Sequence, residues 1–386
     1  MRIAFVSLMR VFPWGGSEEL WFQTARLALS QGHQVTTLTQ RWNPVPEKIR
    51  ELRELGATTE FYERAEYSLA QRVAIKMKLV KPLLEIVPAV EADVVVLSNG
   101  TTWDFIYHRP ITDRVLRSRQ PYLMISQHSY ENGHLVPEAD RDYAIERLRG
   151  ACKLLFVSER NRLAAERQLA HAIVGAQVVD NPLAIQAVGI KPYPASDKLL
   201  MACVARLDCE YKGQDLLLQA LGTSSWRARD FQLRFYGAGP HAAHLRHLIA
   251  HYGLDEKVSL EGHVKNIDAI WDDNQVLVLP SLSEGTPLAL VEAMLSGRAA
   301  LATNVGDISR YVRDGDTGLL VDTASVEGLS DGLERLWRQR EALPAMGEAA
   351  FAHAAGITDF TPANTVLASI LAAAGTTADY SAAPNI

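Results

Sequence analysis

Short apolar runs alternate with amphipathic stretches along most of the chain. Residues 3–8 are apolar and rich in β-branched types, and 35–39, 94–97, 122–125 and 154–157 repeat the pattern. Strands of a parallel sheet read this way, because both of their faces are covered. Helical patterns lie between them. Residues 18–31 place Leu20, Ala25, Leu27 and Ala28 near one face and stop at Gly32; residues 47–55 stop at Gly56. The rhythm breaks at Asn181-Pro182 and through 189–197, which holds Pro192 and Pro194. A second series then begins. It predicts strands at 199–204, 232–236, 258–260, 275–279, 299–303 and 318–321, with helices at 214–221, 241–251, 288–296 and 326–340.

This alternation predicts an α/β fold of two Rossmann-like, doubly wound domains. The expected boundaries are 1–182 for the first domain, 183–197 for a linker and 198–358 for the second domain. A helix within 359–375 is expected to return to the first domain, and the small, polar 376–386 reads as a flexible tail. Two such domains in tandem predict facing sheets with a cleft between them. Ligands of open parallel sheets sit beyond the carboxyl ends of the strands, so the chemistry is expected in the loops after strands.

Composition changes this picture little. The 386 residues are 48% hydrophobic and 22% charged, which is ordinary for globular domains. A net charge of −6 excludes a general affinity for nucleic acid. The charge is uneven: residues 1–180 carry 23 Lys+Arg against 21 Asp+Glu. A phosphorylated or membrane-associated partner fits that excess, and so does chance. Cys152, Cys203 and Cys209 have neither zinc nor disulfide spacing, and reduced thiols suit the cytoplasm. No run of about 18 uncharged apolar residues predicts a transmembrane helix. The start, too short for a signal peptide, reads as a first strand. Residues 69–87 are apolar and edged by Arg72, Lys76, Lys78 and Lys81. They fit a helix lying on an anionic membrane or one packed on the domain with snorkelling lysines.

The most informative segment runs from Leu279 to Met294. A strand ends at Pro280, and a loop presents Glu284, Gly285 and Thr286. Pro287 stands where the first helical turn should begin. The free N–H groups of Leu288 and Ala289 at a helix start suit an anion, and Glu292 lies one turn further on. Amides for phosphate and carboxylates for hydroxyls suit a sugar diphosphate. Taken alone, the two glutamates also fit solvated charges favourable to the helix dipole. Arg206 follows a strand, and Lys212 precedes a helix. Such cations stabilise charge developing on a departing pyrophosphate, or are simply surface charges. Trp14-Gly15-Gly16-Ser17 joins the first strand to the first helix, and paired glycines let backbone approach a ligand. Glu18 and Glu19 at that helix start read as dipole partners. His128 follows the strand at 122–125, and Asn99, Gly100 and Asp104 follow the strand at 94–97.

Glu284 and Glu292, with seven residues between them, resemble the E-x7-E motif of retaining glycosyltransferases of family 4, which have the GT-B fold. Leu279-Pro280-Ser281, Glu292-Ala293-Met294 and Asp314-Gly315-Asp316-Thr317-Gly318 fit as well. The resemblance extends over nearly the whole chain and is strongest in 199–322. It implies a catalytic set of Arg206, Lys212, Glu284 and His128, with Glu284 on the transferred sugar and Glu292 on the ribose. It implies donor contacts from Gly15, Gly16, Gly237, Val264, Gly285, Thr286, Pro287, Leu288 and Ala289. Asn99, Gly100 and Asp104 become acceptor-site candidates.

The implied reaction is transfer of a hexosyl unit from a UDP- or GDP-sugar to a sugar, glycan or lipid-linked acceptor, with retention. It would take place in the cytoplasm, with peripheral contact on the inner face of the membrane left open. No cofactor and no essential metal are expected, because Asp314-Gly315-Asp316 reads as a turn rather than a metal motif. Other GT-B reactions, epimerisation or phosphorolysis, and a non-catalytic nucleotide-sugar-binding subunit remain alternatives. The sequence departs from the family's Gly-Gly-x-x-Glu at Gly306-Asp307-Ile308-Ser309-Arg310, so no glutamate role is assigned there.

Overall fold

The structure is a computed structural model that describes residues 1–63, 77, 87–117, 120–131, 134–185 and 187–375. The stretch 69–87, except Met77 and Val87, lies outside the described residues, as does the tail 376–386. The chain divides into two units. The first is Met1–Pro182 together with the chain from Thr361, and the second is Leu183–Phe360.

The first unit holds strands β1 (Arg2–Ser7), β2 (Gln34–Gln40), β3 (Thr58–Tyr62), β4 (Val94–Asn99), β5 (Tyr122–Ser126), β6 (Lys153–Phe156) and β7 (Gln177–Val178). They form one parallel sheet in the order β3-β2-β1-β4-β5-β6-β7. Successive side chains of a strand point to opposite faces. Ile3, Phe5, Val94 and Val96 therefore enter one apolar cluster, and Ala4, Val6, Val95 and Leu97 enter another. Burial of both faces is the reason these strands read as continuous apolar runs. The first cluster is completed by Leu20 and Ala25 of helix Gly16–Ser30, and by Val366, Leu367 and Ile370 of helix Pro362–Gly375. The chain thus returns to the first unit through that last helix.

The second unit holds β8 (Leu199–Val204), β9 (Phe231–Tyr236), β10 (Val258–Gly262), β11 (Val276–Leu279), β12 (Ala299–Thr303) and β13 (Leu319–Val321). Their order is β10-β9-β8-β11-β12-β13, again parallel. Alternation again fills both faces. Met201, Cys203, Val276 and Val278 share one cluster, and Ala202, Leu277 and Leu279 share the other.

Residues 183–197, expected as a linker, belong to the second unit. Gly189 and Lys191 donate backbone bonds to Leu295 and Ser296. The buried Arg298 guanidinium donates to the carbonyls of Lys191, Pro192 and Trp271. A guanidinium with 1% exposure must satisfy its N–H groups, and these carbonyls do so. The prolines mark an irregular path, not a free one.

In each sheet the strand order reverses at one place, between β1 and β4 and between β8 and β11. Strand-end loops part at such a reversal and leave a crevice. Most of the residues singled out in the sequence follow these four strands.

Candidate active site

In the second unit, β8 ends at Val204 and β11 ends at Leu279, side by side in the sheet. Their loops are tied together. Leu282 and Ser283 donate backbone bonds to the Tyr211 carbonyl at 2.9 and 3.3 Å. Gly213 has φ +59°, and a Cβ there would collide with the Pro280 carbonyl. Only glycine allows that approach without strain. Lys212 is thereby brought onto Glu284, with its Nζ 2.6 Å from Oε1. Ser281 Oγ donates to the same Oε1 at 2.6 Å. Glu284 is 7% exposed, so its charge depends on these partners. With Oε1 occupied twice, a further hydrogen bond to this carboxylate would fall on Oε2.

Arg206 follows β8 by two residues. Its guanidinium lies 2.7 Å from Asp208 and 5.9 Å from the centre of the Tyr211 ring. Asp208 is buried and lies 3.7 Å from His241. His241 Nδ1 accepts the Cys209 N–H, so that ring nitrogen carries no proton in this arrangement. The sequence showed Asp208 but gave it no part. Its burial beside Arg206, which becomes visible only in the folded chain, makes it the group that orients the guanidinium.

Helix Leu288–Leu295 starts where the sequence predicts. Pro287 is its cap residue, and its carbonyl accepts Leu290 and Val291 N–H groups. Among the described residues, the N–H groups of Leu288 and Ala289 have no acceptor, as an anion site requires. Gly306, with φ +54°, holds the preceding loop. A Cβ there would sit 2.6 Å from the carbonyls of Glu284 and Gly285, and the Asp307 N–H donates to Gly285 at 3.1 Å. This is the part played by the segment that departs from the family pattern. Arg310 turns instead to the Ile357 carbonyl at 3.0 Å.

Glu292 lies one turn into the helix and is 4% exposed. Burial pushes its carboxyl up to about 7, opposed by the Ala184 N–H, which donates at 2.9 Å, and aided by the nearby Asp268. The Arg206, Lys212 and Glu284 loops are joined by direct contacts. Glu292 reaches them only along its helix.

The remaining candidates of this unit have other local roles. Gly237 (φ +144°) has no room for a Cβ against the Ala205 carbonyl, so it lets the loop after β9 press on the Arg206 loop. Val264 packs against the apolar cluster that contains Leu290 and Met294. Thr286 is buried in the 280–287 loop. Asp314 accepts from Leu320 N–H and Arg335, which makes 314–318 a turn.

In the first unit the candidates follow β1, β4 and β5. Gly15 caps helix Gly16–Ser30 with extended backbone, and a Cβ there would meet the Phe12 ring at 2.5 Å. Asn99 is 1% exposed and donates to the Ile125 carbonyl, while its Oδ1 has no partner among the described residues. Gly100 packs against Met9 and Asp104. Asp104 accepts from Thr101 through both its N–H and its hydroxyl. Burial lifts its carboxyl to about 6 in spite of those bonds. His128 stands edge-on to Tyr130 at 4.7 Å, and its carbonyl accepts from Thr102. Glu18 departs from expectation. It is not a solvated dipole partner but a 3% exposed side chain bonded to Ser7 and Trp21. Burial raises its carboxyl to about 7.

Comparison with known proteins fits this geometry. Each unit is a doubly wound parallel sheet, and together they are the two Rossmann-like domains of the GT-B fold. Residues 198–339 match the family model described as glycosyl transferases group 1. Solved structures share the fold. A complex of Anabaena Alr3699/HepE with UDP-glucose aligns with TM-score 0.71 at 17% identity, covering 96% of this chain and 99% of that one. S. aureus TarM, solved as a mutant with UDP and α-GlcNAc-glycerol, aligns with TM-score 0.68 at 13% identity, covering 97% and 100%. Among curated proteins, the chain is 28% identical over 158 residues to the alpha-D-kanosaminyltransferase of Streptomyces kanamyceticus, covering 40% of this chain and 41% of that protein. It is 33% identical over 159 residues to a D-inositol 3-phosphate glycosyltransferase of Arthrobacter sp., covering 41% and 35%. The matches thus span less than half the length of these curated relatives.

Proposed function

We propose that the protein is a retaining glycosyltransferase of family 4 that transfers a hexosyl unit from a UDP- or GDP-sugar to an acceptor hydroxyl in glycan, polysaccharide or glycolipid synthesis. The observation that carries this reading is the joined loop pair at the β8–β11 reversal. It sets Arg206, Lys212, Glu284 and the open amides of Leu288 and Ala289 at one strand-end crevice. Arg206 and Lys212 take the diphosphate, the helix start adds its amides, Glu284 takes sugar hydroxyls and Glu292 takes the ribose. Fixed cations stabilise the departing diphosphate more than the intact donor, which is the condition for catalysis.

As the bond from the anomeric carbon to the phosphate oxygen breaks, its electron pair leaves with the diphosphate. The acceptor oxygen bonds the anomeric carbon on the same face, and its proton passes to the leaving phosphate oxygen. No well-placed nucleophile is evident among the candidate residues, which favours this single front-face step over a covalent double displacement. No divalent metal is required, and a chelator should leave turnover unchanged. In the first unit, Asn99, Gly100 and Asp104 are proposed for the acceptor, which is a sugar, a glycan or a lipid-linked saccharide, and His128 for the catalytic set. A cytoplasmic location, with or without peripheral contact on the inner face of the membrane, belongs to this reading. Among the described residues no helix is long and apolar enough to cross a membrane.

A thermal-shift panel of nucleotide sugars tests the reading, since a ligand of the folded state raises the melting temperature. One UDP- or GDP-hexose should do so, and its nucleoside diphosphate should be released when an acceptor is added. Isomerised donor formed without acceptor, a requirement for inorganic phosphate, or binding without release for any acceptor would each replace this reading with another.

A further inference from the structure

A pocket in the first unit has no part in the reading above. It opens beside the ends of β1 and β2 and is lined by Ser7, Met9, Trp14, Glu18, Thr39 and Trp42, among others. Its cavity volume is about 10 Å³. That is room for about one water-sized group, so a single hydroxyl and not a hexose ring. Glu18 lines it with an unusual imbalance. Oε2 accepts from Ser7 Oγ at 2.6 Å and from Trp21 Nε1 at 3.0 Å, while the fully buried Oε1 has no partner among the described residues.

An unsatisfied buried carboxyl oxygen is costly and points to a missing partner. Trp14 and Trp42 are half-buried walls. Trp14 is held edge-on to Phe22 and by Glu19, which accepts its Nε1–H at 2.8 Å. Rigid indole faces beside a single hydrogen-bonding carboxyl suit the mixed polar and apolar surface of a saccharide.

We propose that this pocket is a saccharide subsite that buries one hydroxyl group, with Glu18 Oε1 as its hydrogen-bond partner and Trp14 and Trp42 as its walls. It rests on the glycosyl-transfer reading and deepens it, adding to the acceptor candidates after β4 a contact for a further sugar at β1 and β2. The burial that raises Glu18 to about 7 agrees, because such a group gains most from a new partner.

The test uses the full chain and methyl α-D-glucoside, -galactoside and -mannoside as probes. Binding is read by ligand-observed saturation transfer and by tryptophan fluorescence. Glu18→Gln keeps the bonds from Ser7 and Trp21 but turns Oε1 into a donor. It should weaken the best probe roughly two- to tenfold, the worth of one hydrogen bond. Trp42→Ala, at a partly exposed site, should reduce the fluorescence change and weaken the same probe. Both variants should keep the wild-type thermal shift with the nucleotide-sugar donor. No binding by any probe, or wild-type binding by both variants, overturns the proposal and leaves an ordered water as the occupant. Absence of any donor shift in the wild type would instead overturn the transfer reading itself.

Discussion

Arg206 shows how much a single position carries. Its guanidinium is oriented by the buried Asp208 and half-covered by Tyr211. Arg206→Ala should lose about 2–5 kcal/mol of transition-state binding, the usual cost of removing one partner from a desolvated charge contact. Measured kcat/KM for nucleoside diphosphate release should fall by roughly 30- to several thousand-fold, with the melting temperature little changed. Near wild-type turnover would remove Arg206 from the mechanism. Glu18 makes a different prediction. Its carboxyl is raised from the ordinary 4.5 to about 7. A carboxyl raised by folding stabilises most below its unfolded value, and the contribution disappears as pH rises through the folded one. Between pH 4.5 and 7 the wild type should therefore lose up to about 3 kcal/mol relative to Glu18→Gln. Urea denaturation at several pH values measures the difference, and parallel pH profiles would contradict it.

At the scale of elements, the candidate site consists of two loops held by glycines. Gly306 presses on the carbonyls of Glu284 and Gly285 from a left-handed conformation. Gly306→Ala should cost roughly 1–3 kcal/mol in backbone strain and contact. It should also weaken donor binding, because the loop carrying Glu284 must move. Unfolding and donor titrations on the same variant check both effects, and an unaltered donor affinity would mean that the loop does not depend on Gly306. This scale also shows what the sequence made legible. Apolar runs such as Val94-Val95-Val96-Leu97 revealed buried strands, because parallel sheets hide both faces. The spacing of Glu284 and Glu292 was visible because loop and helix are continuous in the chain. What stayed hidden depends on distant partners. Residues 183–197 looked like a linker, because nothing local announces that Arg298 will bond the carbonyls of Lys191 and Pro192. Glu18 looked like a helix-start charge, because Ser7 and Trp21 meet it only after β1 and the first helix pack.

For the whole molecule, the division into two units makes a simple demand. Helix Pro362–Gly375 follows the second unit in the chain but fills the core of the first unit through Val366, Leu367 and Ile370. The first unit is thus complete only after synthesis has passed through the second. Ile370→Ala should destabilise the first unit by about 2–5 kcal/mol through a core cavity. The second unit should unfold at its wild-type midpoint, and calorimetry with two resolved transitions would show the asymmetry. Equal shifts in both transitions would contradict the assignment of that helix.

The central claim is that Arg206, Lys212, Glu284 and Glu292 serve one nucleotide sugar in the second unit, Glu284 on its sugar and the other three on its nucleotide. Isothermal titration of UDP and GDP into the wild type and into Arg206→Ala, Lys212→Ala and Glu292→Gln tests it most directly. The account predicts that one of the two nucleotides binds, and that each substitution weakens it at least about tenfold, a loss of about 1.4 kcal/mol. Wild-type affinity in all three folded variants, or no binding of either nucleotide to the wild type, would contradict it.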